Sequence, residues 1–187
     1  MAELHVALNE IPSDGMSLVV DDQTLWSDPM REFGMKFRIV RPLRAEVFLL
    51  PQAGGCLVRG HLSGELVVPC DRCAEDAGVV IDCSFDEFES PVDEQEDNSG
   101  DAESESFVFP ESDAIFFEHG VAVLDLGKLL WEELSLVMPI KPLCRPDCKG
   151  VCSSCGANLN NGPCACGGQE GDPRLAPLKY LKIKTKG

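Results

Sequence analysis

Between Met35 and Leu50 the apolar residues fall on alternate positions. Phe37 and Ile39, then Val47 and Leu49, are interleaved with Lys36, Arg38 and Arg44. A period of two is the mark of a half-buried strand. The shorter piece Leu4 to Leu8 also reads as strand, and the chain between the two is rich in turn residues. Gly54-Gly55 then punctuates the pattern, and Cys56 to Val68 reads as the partner strand of a long hairpin, with Gly60 and Gly64 as expected bulges. A third strand is expected from Gly78 to Phe88.

The period changes after Asp125. Leu126, Leu129, Leu130, Leu134 and Val137 lie at helical spacing, with Lys128, Glu132 and Glu133 on the other side. Asp125 is the expected N-cap and Pro139 the stop. A leucine stripe of this kind is a core-facing surface rather than a set of ligands. Near the end, Asp172-Pro173 supplies a second N-cap and first-turn proline, ahead of Leu175, Leu178 and Leu181. The pattern predicts an α+β protein. Its expected parts are a twisted antiparallel β-sheet, barrel-like if it closes, one or two packing helices, and a Cys-rich zinc-binding C-terminal region. The boundary is placed between 143 and 144: a core of sheet plus helix over 1–143, and a Cys-rich region with a C-terminal helix and basic tail over 144–187.

Composition adds three things. With 187 residues and 44% hydrophobic content the chain can bury a core. No stretch reaches the roughly 18 apolar residues of a membrane helix, and Met1-Ala2-Glu3-Leu4-His5 has neither basic flank nor apolar run. A cytoplasmic protein without a membrane partner is therefore expected. The formal net charge is −16, and no Lys or Arg occurs between Arg72 and Lys128. Residues 91–113, which include Asp93-Glu94-Gln95-Glu96-Asp97, read as a disordered acidic loop or a dock for a basic partner. Such a charge disfavours extensive contact with nucleic-acid phosphate and favours basic protein partners.

The candidate chemistry lies in the cysteines. The chain has ten, and eight form close pairs: Cys70/Cys73, Cys144/Cys148, Cys152/Cys155 and Cys164/Cys166. Clustered cysteines in a reducing compartment point to metal rather than disulfides. One C-x-x-C is a weak signal, whereas four pairs are a specific signal for metal binding, and tetrahedral zinc takes four thiolate or imidazole ligands in such short-spaced pairs. Gly156, after Cys155, permits the tight turn of a zinc knuckle. Zinc is thus the expected cofactor, as one or two ions. Cys152, Cys155, Cys164 and Cys166 form one expected site; Cys70, Cys73, Cys144 and Cys148 form the other, tying the hairpin to the tail. Because Cys164 and Cys166 are so closely spaced, a three-cysteine site remains a variant. Zinc held by four thiolates makes the protein more acidic than its residue count states. Cys56 and Cys83 stand alone in apolar runs and read as small hydrophobes.

Other cysteine chemistries fit less well. Cys148, Cys152 and Cys155 have the spacing of a radical iron–sulfur motif, but too little chain follows them for the barrel that such enzymes build. Cys70-Asp71-Arg72-Cys73 would serve as a redox pair only at a helix N-terminus, and strand pattern flanks it on both sides. His5, His61 and His119 are scattered, and no catalytic grouping is present, so an enzyme is not expected.

Several strings in one order resemble the YceD family. They are Gly60; Cys70-Asp71-Arg72-Cys73; Asp125-Leu126; Pro139-Ile140-x-Pro142-Leu143-Cys144; Cys148-Lys149-Gly150-x-Cys152-x-x-Cys155-Gly156-x-Asn158-Leu159-Asn160; Cys164-x-Cys166; and Asp172-Pro173-Arg174-Leu175. The similarity is strongest from Cys144 to Leu181. It implies a bacterial, non-enzymatic factor in 23S ribosomal RNA accumulation or processing and large ribosomal subunit assembly, with no catalytic residues to carry over. The expected partner is a basic ribosomal protein or assembly factor. The alternative contact is rRNA itself, through Arg145, Lys149, Lys179, Lys182, Lys184 and Lys186. A second functional reading is a zinc-thiol redox switch or chaperone-like protein.

Overall fold

The computed structural model describes residues 4–91 and 114–166. Most of the acidic stretch, the helix expected after Asp172 and the basic residues Lys179 to Lys186 lie outside the described residues.

In chain order the elements are β1 (His5–Ala7), β2 (Met16–Val20), α1 (Thr24–Glu32), β3 (Arg38–Gln52), β4 (Gly55–Pro69), β5 (Asp76–Glu89), β6 (Ile115–Glu118), β7 (Val121–Asp125) and α2 (Leu126–Val137). Two short 3-10 turns, Leu8–Glu10 and Leu159–Asn161, complete them. The three long strands and the short β2 form an antiparallel meander in the order β2-β3-β4-β5, and a smaller antiparallel sheet has the order β1-β7-β6. The class is α+β, as the pattern predicts, but with two open sheets in place of one. The barrel expectation is corrected: β2 and β5 are edges of the larger sheet and do not pair with each other. β2 has five residues and β5 fourteen, so their lengths do not match for closure.

One face of the meander is apolar. Leu43, Ala45, Val47 and Leu49 of β3 line it with Val58, Leu62 and Leu66 of β4, and with Ala77, Ile81 and Phe85 of β5. The leucine stripe of α2 (Leu126, Leu129, Leu130, Leu134) joins this core. Asp125 ends β7 and caps the helix, its carboxylate accepting from the Lys128 N–H at 2.9 Å.

The first helix lies in the stretch whose residues read as turns. Leu25, Trp26 and Met30 of α1 are buried despite Pro29 within it. Its start is clipped to β3 by the Gln23 amide, which donates to the Leu43 carbonyl at 2.8 Å and accepts from the Leu43 N–H at 3.0 Å. The clip sits where the β3–β4 register shifts, between Ile39 and Arg44. Gln23 thus satisfies backbone groups that the distorted ladder leaves over. These bulges lie on β3, opposite Gly64. Gly60 is not at a bulge: it pairs in register with Val47 and Phe85, and a Cβ there would run into the Phe85 ring. Its role is to seat that ring.

Candidate metal centres

Two turns of like construction hold half of the clustered cysteines. After β4, the chain turns through Cys70-Asp71-Arg72-Cys73-Ala74. The Ala74 N–H donates to the Cys70 carbonyl at 2.9 Å, and the Cys70 N–H donates to the Glu75 carbonyl at 2.8 Å. The second turn, Cys152-Ser153-Ser154-Cys155-Gly156, repeats the pattern: Gly156 N–H to Cys152 carbonyl and Cys152 N–H to Ala157 carbonyl, both 2.8 Å. Each turn carries a left-handed residue after its second cysteine. Gly156 has φ 72° and Ala74 has φ 59°. The sequence signals the second turn through its glycine, while the first is masked by an alanine.

The eight paired cysteines come together in two sets: Cys70, Cys73, Cys144 and Cys148, and Cys152, Cys155, Cys164 and Cys166. Within each set the sulfurs lie within 4.8 Å of one another. These are the two groupings expected from the spacing, with four sulfurs in each. Cys70 and Cys148 Sγ are 3.8 Å apart, and Cys73 and Cys144 Sγ 3.6 Å. A tetrahedral ion with metal–sulfur bonds of about 2.3 Å separates its ligands by about 3.8 Å. The spacing therefore fits a metal ion, and all ten cysteines are free thiols. The two lone cysteines stand apart from both sets. Cys56 is buried in the core, Cys83 is half-buried on β5, and burial pushes both thiols up.

Hydrogen bonds to sulfur divide the protons within each set. Burial pushes the Cys70 thiol up, but donation from the backbone N–H groups of Cys144, Arg72 and Cys73 outweighs it and holds Cys70 at about 6. The Asn160 amide, 3.4 Å from Cys148 Sγ, is the main cause holding that thiol below its ordinary value. Cys144 is pushed up to about 12, by burial first and then by the neighbouring sulfurs. In the second set the Cys155 and Ser154 N–H groups hold Cys152 down at about 6, while Cys166 is pushed up to about 12, chiefly by Cys155. Some thiolates thus form readily and others resist a further negative charge, a conflict that a bound cation relieves. Four sulfurs without histidine or carboxylate make a closed site for a soft or borderline ion, of which zinc is the usual one.

Residues that the sequence alone does not single out for a role join the sets. Arg72 donates to the Cys148 carbonyl at 2.7 Å, and the Asp71 N–H donates to the Pro142 carbonyl at 2.8 Å. Asn160 accepts from the Lys149 N–H at 2.8 Å through its Oδ1, and Asn158 donates to Glu75 at 3.3 Å. The segment between the two cysteine pairs of the second set therefore reaches back to the first. Of the residues expected to touch RNA, Arg145 and Lys149 are exposed, and Arg145 lies 3.8 Å from Asp147. Among the described residues no helix is long and apolar enough to cross a membrane.

A family model described as "Large ribosomal RNA subunit accumulation protein YceD" matches residues 58–182, a span that includes both cysteine sets. The chain is 27% identical over 157 residues to the chloroplastic large ribosomal RNA subunit accumulation protein YCED homolog 1 of Arabidopsis thaliana, covering 75% of this chain and 49% of the relative. The Zea mays protein of the same name is 28% identical over 159 residues, covering 74% and 53%. The chain thus spans about half the length of these two relatives. An uncharacterized protein of Mycobacterium tuberculosis is 26% identical over 178 residues, covering 95% and 72%. No solved structure matches.

Proposed function

The chain belongs to the YceD family, and on that premise we propose that it is a non-enzymatic cytoplasmic factor supporting large-subunit ribosomal RNA accumulation, built around two structural zinc ions. The observation that carries the metal reading is the convergence of eight thiols into two sets of four. When bound, zinc supplies cross-linking rather than reactivity, since four thiolates leave no open position. The chain's own residues do the rest: backbone N–H groups and Asn160 orient the sulfurs, and Arg72 fastens the first turn to the Cys148 loop.

The charge of −16 favours a basic ribosomal protein or assembly factor as the direct partner. Contact with rRNA through Arg145, Lys149, Lys179, Lys182, Lys184 and Lys186 is the competing reading. Metal analysis of the purified protein is expected to give two zinc ions per chain. Affinity purification from cells is expected to recover large-subunit precursors with a basic protein. Tight binding of purified rRNA fragments that is lost on deleting Lys179 to Gly187 would overturn the protein-partner reading.

A further inference from the structure

The two cysteine sets differ in access. In the first, Cys70, Cys73 and Cys148 are only 3%, 7% and 2% exposed, and Cys144 is half-buried. A Cβ on Gly150 would lie 3.1 Å from the Arg72 carbonyl, so the Cys148 loop is packed closely over the first turn. In the second set Cys155 and Cys166 are exposed, and a Cβ on Gly156 would meet nothing within 4 Å. The first set joins residues far apart in the chain, at separations of 71 and 78, whereas the second is local.

Resting on the two-zinc reading, we propose that Cys155 and Cys166 are a reversible thiol-oxidation site for hydroperoxides, and that the first set is a peroxide-resistant scaffold. Access to sulfur governs such oxidation, because the peroxide oxygen must approach the thiolate directly. A Cys155 or Cys166 sulfur, which would be a thiolate when the set holds its ion, attacks one peroxide oxygen, the O–O bond breaks, and hydroxide leaves with a sulfenic acid on the cysteine. A neighbouring thiolate then attacks that sulfenyl sulfur and displaces the second hydroxide. In sum two thiolates, one hydrogen peroxide and two protons give one disulfide and two waters; two electrons pass from sulfur to peroxide. Neighbouring sulfurs within 4.8 Å make this second step local. Two thiolates then remain in that set, too few to keep a tetrahedral ion. The first set still ties the β4–β5 turn to the segment after α2.

The test uses the full chain loaded with zinc, treated with one equivalent of hydrogen peroxide. Zinc release is followed with a chromophoric chelator, disulfides are mapped by mass spectrometry, and the fold is followed by circular dichroism. One of the two ions should leave in a fast phase while the other stays bound, with the disulfide among Cys152, Cys155, Cys164 and Cys166 and the spectrum retained. Thiol reductant with added zinc should restore the second ion. The Cys155→Ser/Cys166→Ser double variant should keep one ion and lose the fast phase. Release of both ions together, or a disulfide among Cys70, Cys73, Cys144 and Cys148, overturns this inference alone. A protein that binds fewer than two ions before peroxide is added overturns the metal reading and this inference with it.

Discussion

Asn160 shows how much one side chain can carry. Its amide donates to Cys148 Sγ and its carbonyl oxygen holds the Lys149 N–H, so a single residue orients a thiol of the first set and the backbone beside it. Partners of this kind usually change metal affinity by about 10–100-fold. Asn160→Ala is expected to weaken zinc at the first set by that order, read by chelator competition, with the second ion unaffected. Ala74 offers the opposite case. Its φ of 59° is costly for an L residue with a Cβ, so Ala74→Gly is expected to be neutral or stabilising by up to ~1 kcal/mol in denaturant unfolding. A loss of stability would show that the alanine side chain matters more than its backbone. Cysteine spacing makes the two candidate sets legible in the sequence. The roles of Asn160 and Arg72 are not, because their partners are a sulfur and a carbonyl that only the fold brings near.

The elements differ in how openly the sequence declares them. The long strands and α2 have strong periods and clear punctuation, and Asp125 caps α2 as its position suggests. Asp125→Ala is expected to cost about 1 kcal/mol and Leu130→Ala about 2–5 kcal/mol, both read from denaturant midpoints. The helix α1 escapes such reading because it is short, contains Pro29, and is held by a clip to Leu43 that lies 20 positions away. Strands β6 and β7 are four and five residues long, too brief for alternation to stand out. On α2, burial pushes the Glu133 carboxyl up from its ordinary 4.5, and Glu87, Glu132 and Glu89 add to it. A carboxyl raised in the folded state binds protons that the unfolded chain has already lost. Its contribution is therefore complete below the unfolded value and is lost as pH rises through the folded one. Glu133→Gln is expected to raise the melting temperature at neutral pH, with the gain fading on acidification. A gain that persists unchanged at low pH would point to packing instead of charge.

At the scale of the molecule, two open sheets share a core with α2, and the first cysteine set brings the turn between β4 and β5 together with the segment after that helix. The class is legible from periods of two and 3.6; the division into two sheets is not, because pairing partners of short strands are set by tertiary contacts. A chelator strong enough to strip both ions is expected to lower the melting temperature, and Cys144→Ser to reproduce most of that loss, whereas Cys166→Ser does not. Equal losses in the two variants would mean that the sets share the structural task. The separation of 71 residues between Cys73 and Cys144 has a consequence in time. During synthesis the meander leaves the ribosome well before its fastening cysteines exist. Closing so long a loop costs about 4 kcal/mol in chain entropy on a simple polymer estimate, so the hairpin must hold its shape unaided until the segment after α2 arrives. A metal ion bound there would act as a late seal on a nearly finished molecule, and a chain cut short before Cys144 would carry the turn but never the lock.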